Sequence, residues 1–370
     1  MAEQLHRQRP AVTVLMAVYN AERFLADAIT SILKQTFSDF ELLIIDDGST
    51  DQTADVVRQF SDSRIQFIPA GQRLGLPGAL NLGLENASGN LVARHDHDDI
   101  SDPLRLEHQV AYLEANPDVA LVGSRAWLID EEGKRIGRLD RCLDEVSIRW
   151  YQLLDNPFVH SSVMFRRSVV WDELGGYDVS LPSSEDYELW SRVLQHHAAA
   201  NIPDRLLYYR LSAMSKMAAD ETAWEEGPFP EILRSLVSRN ICSMLGNIAS
   251  EDEIRLMGGF VLGVHAAEVD RFLDVFWRLC VAYEGKVPAA RESADFRRTL
   301  ASQVDAIATR LRPFSRGAGL RVYQRALGTR PSLACGLPWG RATARLMLGE
   351  AGRSWLARLR RQGRAFSVAA

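Results

Sequence analysis

Long hydrophobic runs are absent from this sequence of 370 residues. Its longest apolar candidate, residues 40–45, has only the length of a strand and is followed by two aspartates. A helix that spans a membrane needs about 20 apolar residues, and residues 1–10 also lack the apolar stretch of a secretory signal. We therefore expect a protein that stays in the cytoplasm and has no membrane-spanning helix.

Cysteine is scarce, and its few copies are far apart. Cys142, Cys242, Cys280 and Cys335 share no CxxC spacing. Disulfide frameworks and structural zinc sites both need grouped cysteines, so neither is expected here. Isolated cysteines are usually free, buried thiols.

Glycine-rich phosphate-binding loops are absent as well. A dinucleotide-binding fold places GxGxxG directly after its first strand, so that helix-terminal N–H groups hold the pyrophosphate. Here the first apolar strand, residues 12–18, continues into Tyr19-Asn20-Ala21-Glu22, and the sequence has no P-loop. If a nucleoside diphosphate binds, its charge must be neutralised by other means, and carboxylates that hold a divalent cation are available for this.

Length and composition indicate an ordinary globular protein with two domains. The 370 residues exceed the roughly 250–300 at which a single core stops growing. Hydrophobic residues make up 46% and charged residues 25%, which excludes disordered and low-complexity classes. Strand-like and helix-like segments alternate in the first half, whereas helical periodicity dominates after about residue 220. We expect an α/β domain of residues 1–218 and a helical domain of residues 219–370 with a basic tail.

The first domain should contain a mostly parallel sheet flanked by helices. Strands are predicted at residues 12–18, 40–45, 65–68, 91–94, 119–123 and 161–165, with helices between them. Asn20 is placed to cap the first helix, and Ser184 precedes an amphipathic helix that runs through His196. Residues 130–157 are polar and mixed, which favours a loop or flap with a short helix.

Charge is distributed unevenly along the chain. From Arg297 onward, 15 arginines face two acidic residues, so this tail carries +13 and the rest of the chain −18 of the net −5. Apolar residues alternate with the arginines, among them Trp339, Trp355 and Phe366. This pattern suits either an amphipathic surface on an anionic membrane or a helical packing domain with a solvated basic face. No recognition motif for nucleic acid accompanies it.

Acidic residues follow two of the predicted strands. Asp46-Asp47 comes directly after residues 40–45, and Asp96-His97-Asp98 comes soon after residues 91–94. Such a DxD triplet on its own is common in solvated surface turns. Its place after an apolar strand, with a second acidic pair after another strand, favours a binding site in which one carboxylate faces a ribose and the other Mg²⁺ or Mn²⁺.

Four stretches together resemble the bacterial family 2 glycosyltransferases of the GT-A fold, in the order that this family shows. They are VTVLMAVYNAERFLADAITSILKQTFSDFELLIIDDGSTDQTADVV, GLPGALNLGLENASGNLVARHDHDDISDPLRLEHQVAYLEANPDVALVG, HSSVMFRRSV and LPSSEDYELWSRV. The resemblance covers about residues 10–215. It implies transfer of a sugar from a nucleoside-diphosphate sugar to an acceptor hydroxyl, with inversion at the anomeric carbon and a divalent metal, Mn²⁺ or Mg²⁺.

The resemblance assigns six residues to the donor, and five of them precede residue 100. Ala17 and Tyr19, at the end of the first strand, would line the pocket for the base and ribose, with Tyr19 as the stacking face. Asp47 would accept a hydrogen bond from the base, and Arg73 matches a basic position near the base or diphosphate. Asp96 would bind hydroxyls of the ribose or sugar.

The same resemblance assigns the metal and the catalytic group. Asp98 would hold the metal. Glu185-Asp186 matches the family's ED motif, with Glu185 on the donor side and Asp186 as the general base that takes the proton of the acceptor hydroxyl. The start of a helix would keep Asp186 ionised for that role. Without the resemblance, this pair would be interpreted as a helix cap.

Three further residues keep two interpretations each. Asp99 is expected to be structural, as a turn or cap residue, rather than a ligand. His160 opens the segment His160-Ser161-Ser162, where it either contacts the acceptor or donor sugar or has no such role. Arg210 either is structural or approaches the diphosphate.

The leading functional hypothesis is an inverting sugar transferase that builds a bacterial surface polysaccharide or a related glycan. Its partners would be a UDP, GDP or dTDP sugar and a glycan or lipid-linked acceptor, with possible peripheral contact to an anionic membrane. One alternative is a nucleotidyltransferase of related fold, but the glycine-rich basic loop that it needs is missing. The other is a non-catalytic nucleotide-sugar-binding protein, although all three acidic elements are intact.

Overall fold

The computed structural model describes residues 9–211, 229–262, 267–311, 316–330 and 333. Contacts between residues group the chain into two compact units. The first consists of residues 1–148 and 156–232, and the second of residues 149–155 and 233–370. The predicted tail residues Trp339, Trp355 and Phe366 lie outside the described residues.

Within the described part of the first unit, nine strands form one mixed sheet. They are β1 Val12–Val18, β2 Phe40–Asp46, β3 Ile65–Pro69, β4 Leu91–Arg94, β5 Ile100–Ser101, β6 Val119–Ile129, β7 Arg135–Leu139, β8 Met164–Arg166 and β9 Ala198–Arg210. Their order is β3-β2-β1-β4-β8-β6-β9-β5, and β7 pairs with β6 beside this path. Strands β1 to β4 are parallel to one another and β6 is parallel to β9, whereas β8, β5 and β7 run antiparallel to their neighbours.

Helices cover both faces of this sheet. They are α1 Leu25–Leu33, α2 Thr53–Arg58, α3 Gly75–Asn86, α4 Arg105–Ala115, α5 Glu145–Tyr151, which continues into the second unit, and α6 Glu185–His196. Val14 and Met16 of β1 share a core cluster with α1 and α4. Leu15 points to the other face, where a Cβ on Gly83 of α3 would lie 2.1 Å from its Cδ1. Because both faces are covered, β1 and β2 are buried along their whole length and have nearly continuous apolar sequences.

The described part of the second unit is helical. Its helices are α7 Phe229–Leu245, whose first four residues are grouped with the first unit, α8 Glu251–Leu262, α9 Val269–Lys286, α10 Ala294–Leu311 and α11 Arg316–Thr329. Trp150 contributes to its core and packs edge-on against Phe276 and Phe296. The indole N–H of Trp150 donates a 2.8 Å hydrogen bond to Gln303, which satisfies the one polar group of this buried ring. No helix in the described ranges is both long enough and apolar enough to cross a bilayer.

The predicted α/β class is confirmed, and most predicted strands lie within two residues of their observed ends. Three details were wrong. Residues 161–165 begin as a 3₁₀ turn, His160–Ser162, before the short strand β8. The segment predicted as a loop or flap with a short helix does contain that helix, α5, but it also contains β7, which forms a hairpin with β6. Asn20 does not cap α1, because its φ is 48° and its side chain instead accepts a 2.9 Å hydrogen bond from the Thr50 N–H.

Candidate functional site

The carboxyl ends of β1, β2 and β4 meet at one edge of the sheet. Val18 is paired with Asp46, and Leu15 with Arg94. The ladder continues beyond the strand ends, where the Asp47 N–H donates to the Val18 carbonyl at 2.9 Å. Residues that follow these strands therefore lie side by side, and ligands of open α/β sheets usually bind in this position.

Asp47 is buried against the start of α3. Its two carboxylate oxygens accept hydrogen bonds from the N–H groups of Leu74, at 2.5 Å, and Gly75, at 3.1 Å. Arg73 adds an ion pair, with Nε 3.1 Å from Oδ2. A carboxylate at a helix N-terminus is stabilised by unpaired N–H groups there. Its neighbour Asp46 accepts a 3.0 Å hydrogen bond from the Ser49 N–H and so braces the turn after β2.

Tyr19 and Arg73 lie beside Asp47 and form, with it, a corner of the sheet edge whose exposed part they provide. The Arg73 guanidinium lies 3.0 Å from the centroid of the Tyr19 ring, a cation–π contact. Tyr19 is 40% exposed and the Arg73 side chain 52% exposed. The structure thus brings together Tyr19, Asp47 and Arg73, whereas the side chain of Ala17 is buried within β1.

The loop after β4, residues 95–99, is acidic, and its three carboxylates lie in different environments. Asp96 forms an ion pair with the buried guanidinium of Arg94. Burial raises the pKa of Asp96, but the charges of Arg94, His160 and His97 and a hydrogen bond from Arg94 together outweigh it and hold this pKa below its usual range. Burial, and secondly the charge of Asp96, raise the pKa of Asp98. Burial and the charges of Asp98 and Asp96 raise the pKa of Asp99 still further.

These carboxylates fit one mode of metal binding. Among the described residues, no group of three or more His, Cys, Asp or Glu side chains is arranged to hold a metal ion. Mg²⁺, however, is commonly held by one or two carboxylates together with substrate phosphates and water. The raised pKa of Asp98 means that the positive charges of His97 and Arg94 do not offset its burial and the charge of Asp96. Asp98 is therefore suited to a cation that arrives with a diphosphate.

Arg210 anchors the acidic loop through hydrogen bonds to Asp98 and Asp99. This buried side chain donates from Nε to the Asp98 carbonyl at 2.7 Å and from Nη1 to the Glu131 carbonyl at 2.7 Å. Its backbone N–H donates to Asp99 Oδ1 at 2.8 Å. These contacts support the structural interpretations of Arg210 and of Asp99.

The start of α6 presents the second acidic pair. Glu185 is its first residue and is buried, and the preceding Ser184 has a left-handed φ of 61°. Asp186 Oδ1 accepts a 2.7 Å hydrogen bond from the Tyr187 N–H, and Oδ2 accepts one of 2.7 Å from the Asn156 amide. Donors to both oxygens at a helix N-terminus favour a charged carboxylate.

His160 lies between the two acidic elements. Its Nδ1 is 3.9 Å from Asp186 Oδ2, and its Nε2 is 3.0 Å from the hydroxyl of the buried Tyr177. A protonated His160 would also interact with the Asp96 carboxylate, because its charge contributes to the lowered pKa of Asp96. The ring packs edge-on against the buried Trp190. Asp96 and Asp186 therefore belong to one electrostatic cluster.

Sequence reasoning missed two members of this cluster, Arg94 and Asn156. Arg94 carried a signal, since an arginine at the end of an otherwise apolar strand and two residues before a carboxylate needs a counter-charge. Asn156 lies in a polar segment and carried no local signal. Its role depends on Asp186, which is 30 positions away.

Similarity to known proteins covers the same part of the chain. A family model described as Glycosyl transferase family 2 matches residues 13–174. The amylovoran biosynthesis glycosyltransferase AmsE of Erwinia amylovora is 36% identical over 218 residues, covering 57% of this chain and 80% of the relative. The O-antigen biosynthesis glycosyltransferase WbnJ of Escherichia coli is 32% identical over 247 residues, covering 63% and 93%. An uncharacterized glycosyltransferase of Haemophilus influenzae is 34% identical over 212 residues and is matched over 66% of its own length.

A solved structure has the same fold. It is Staphylococcus aureus TarS 1–349 in complex with UDP-GlcNAc, with a TM-score of 0.52 and 16% sequence identity. The superposition covers 84% of this chain and 89% of TarS 1–349. At this identity the similarity shows the fold alone.

Proposed function

The chain belongs to glycosyl transferase family 2, and from this premise we propose that it transfers a sugar from a nucleoside-diphosphate sugar to an acceptor hydroxyl with inversion at the anomeric carbon. The family and the GT-A-like fold expected from the resemblance are both confirmed. One observation carries the proposal. The acidic loop after β4 and the acidic pair that starts α6 belong to one cluster. Nδ1 of His160 lies 3.9 Å from Oδ2 of Asp186, and the charge of a protonated His160 lowers the pKa of Asp96.

The donor nucleotide would bind at the corner formed by Tyr19, Asp47 and Arg73. One face of the Tyr19 ring is covered by the Arg73 guanidinium, so the base would stack on the other face. The TarS complexes contain UDP and UDP-GlcNAc, which supports a nucleoside-diphosphate sugar as donor for this chain. Asp96 would accept hydrogen bonds from the ribose or the sugar, as its low pKa keeps it charged. Glu185 would lie on the same donor side.

A divalent cation, Mn²⁺ or Mg²⁺, would be held by Asp98. Bound together with the donor diphosphate, it would supply charge neutralisation of the leaving group. Arg210 fixes the Asp98 backbone through its carbonyl, so the ligand would be held in place before the donor arrives.

Asp186 would act as the general base. The acceptor hydroxyl attacks the anomeric carbon from the face opposite the leaving diphosphate and gives its proton to the Asp186 carboxylate. Asn156 and the Tyr187 N–H hold that carboxylate in one orientation. No covalent sugar–enzyme bond is formed, which accounts for inversion.

Surface polysaccharide synthesis is the proposed context, supported by the relatives named for amylovoran and O-antigen biosynthesis. The acceptor would be a glycan or a lipid-linked saccharide. We also propose that residues 1–218 form the catalytic domain and that the basic tail after Arg297 contacts an anionic membrane surface from the cytoplasmic side.

Substitution of Asp186 by Asn tests the function. This change preserves shape and one acceptor oxygen but removes the base. The rate of nucleoside-diphosphate release from the donor should fall by on the order of 10²–10⁴ in kcat, with little change in donor affinity. Glu173→Gln, which alters a carboxylate 3.0 Å from Nε2 of His197, serves as a control and should leave kcat unchanged. Near-normal turnover of Asp186→Asn would return this residue to the role of a helix cap.

A further inference from the structure

Arg94 is an almost completely buried arginine at the last position of β4. Only 1% of its surface is exposed, and Nη1 forms an ion pair with Oδ1 of Asp96, whose side chain is 27% exposed. A buried guanidinium is unfavourable unless a counter-charge and hydrogen bonds compensate for its lost hydration. The function proposed above gives this residue no role, and it is not among the residues assigned to the donor.

The backbone of Arg94 is fixed on both sides. Its N–H donates to the Val163 carbonyl at 3.0 Å, and its carbonyl accepts a 2.7 Å hydrogen bond from Nη2 of the buried Arg105. Arg105 itself is held by Ser101, through a 3.0 Å hydrogen bond from Nη1. The backbone position of Arg94 is therefore fixed by the sheet, and this fixes the direction in which its side chain extends towards Asp96.

The Asp96 carboxylate is the main counter-charge of the Arg94 guanidinium. Within the described residues, Nε of Arg94 has no hydrogen-bond acceptor, so this guanidinium is not satisfied by carbonyls as Arg105 is. The Asp96 N–H donates to Ser161 at 2.9 Å, which fixes the backbone while Arg94 fixes the carboxylate. Glu185 and Tyr177 also lie near enough to interact electrostatically with Arg94.

We propose that Arg94 is a positioning residue for donor binding, which holds the Asp96 carboxylate in the orientation that accepts hydrogen bonds from the ribose or sugar hydroxyls. The proposal rests on the function proposed above, since Asp96 is the group that touches the donor. Arg94 itself makes no contact with the donor in this scheme.

A double-mutant cycle tests the proposal. The variants are Arg94→Met, Asp96→Asn and the combination, titrated calorimetrically with the nucleoside diphosphate, among UDP, GDP and dTDP, that binds the wild-type protein in Mn²⁺. Each single variant should lose roughly tenfold in affinity, within the range of couplings measured between residues in contact. The double variant should bind no more weakly than Asp96→Asn alone, because Arg94 acts only through Asp96. Arg94→Lys, which keeps the charge but not the planar fork, should recover part of the affinity.

Thermal unfolding gives a second readout that does not depend on the donor. Arg94→Met leaves Asp96 without its partner, so the double variant should melt at a higher temperature than Arg94→Met. If Arg94→Met does not fold, Arg94→Lys and the double variant still complete the comparison. Arg166→Met is the matched control on the neighbouring strand β8. Its guanidinium donates to the carbonyls of Val119 and Leu113, so this variant should lose stability but not donor affinity.

Two results would overturn the proposal. In the first, Arg94→Met leaves donor affinity unchanged. In the second, its loss adds fully to that of Asp96→Asn, which would mean that Arg94 acts independently of this carboxylate. If the wild-type protein binds none of the three nucleotides, the proposed function itself fails. The unfolding cycle then still reports whether Arg94 and Asp96 are coupled.

Discussion

The amide nitrogen of Asn156 lies 2.7 Å from Oδ2 of Asp186, and the Oδ1 atom of the same Asn156 accepts a 3.0 Å hydrogen bond from the Phe158 N–H. One side chain thus fixes both a loop and the carboxylate proposed as the general base. An Asp186 that could rotate freely would spend part of its time turned away from the acceptor. Orientation of the base is a recognised part of catalysis by proton transfer.

Replacement of Asn156 by Ala should therefore lower kcat by roughly 10- to 100-fold, the equivalent of one hydrogen bond to a charged group. Steady-state turnover at saturating donor measures this, and KM for the donor should change little. Asn116→Ala is the matched control, because the Asn116 side-chain amide donates to the Tyr112 carbonyl near the end of α4. Equal kcat values for the two alanine variants would remove Asn156 from the account.

Tyr19 should contribute base stacking to nucleotide affinity. Tyr19→Ala is expected to weaken binding by about 1–3 kcal/mol, the usual value for a base on an aromatic ring. Tyr19→Phe preserves the stacking face and should bind normally. Calorimetry with a nucleoside diphosphate and with pyrophosphate separates base from phosphate contacts. If Tyr19→Ala binds the nucleotide as well as the wild type does, then Tyr19 is a surface aromatic that only supports Arg73.

The basic tail should bring the enzyme to anionic lipid. Each arginine near such a surface contributes about 1 kcal/mol of attraction, and the acidic remainder of the chain is repelled. Sedimentation with vesicles should therefore show binding to anionic but not zwitterionic lipid, weakened by added salt and lost after truncation near Pro331. Indifference of the full-length protein to anionic vesicles at low salt would assign the arginines to packing.

A pH-dependent capping box should stabilise α8. Ser250 Oγ accepts a 3.3 Å hydrogen bond from the Glu253 N–H, and the Glu253 carboxylate accepts one of 2.9 Å from the Ser250 N–H. Hydrogen bonding, first of all from Arg278, lowers the pKa of Glu253 from 4.5 to about 2. A carboxyl with a lowered folded-state pKa contributes stability that is present above pH 4.5 and is lost as the pH falls towards 2.

Urea unfolding of Glu253→Gln at pH 7 and pH 3 measures this contribution. The variant should be less stable than the wild type at pH 7, and the difference should shrink at pH 3. Ser250→Ala should cost about 1 kcal/mol at pH 7, as for other N-caps. The control is Glu251→Gln, whose exposed pair with Arg255 contributes little. A stability difference for Glu253→Gln that stays constant between the two pH values would contradict the ionic role of Glu253.

The parts of the fold that were predictable are those with a local cause. Strand β1 is covered on both faces, so every residue from Val12 to Val18 is buried and the apolar run reveals the strand. Strand β9 has no such signal. Its sequence includes Pro203 and Asp204, and the register between β6 and β9 skips these two residues at an irregularity. The strand forms because β6 offers a long parallel partner.

The candidate site divides in the same way. Asp47, Asp96, Asp98 and Asp186 could be identified because they occupy fixed places in motifs that follow strands or start a helix. Arg94 and Asn156 act on two of these carboxylates through contacts that only the folded chain creates. Even Asp47 has a feature that the motif did not predict, since its two oxygens accept N–H groups at the start of α3.

The central claim is that this chain binds a nucleoside-diphosphate sugar through a divalent cation held by Asp98. The most direct measurement is calorimetric titration of the wild-type protein and Asp98→Asn with UDP, GDP and dTDP, each with and without Mn²⁺. The account predicts that at least one nucleotide binds the wild-type protein more tightly in Mn²⁺. Asp98→Asn should lose this metal-dependent gain while melting nearly normally. Absence of nucleotide binding by the wild type, or a metal-dependent gain of normal size in Asp98→Asn, would contradict the claim.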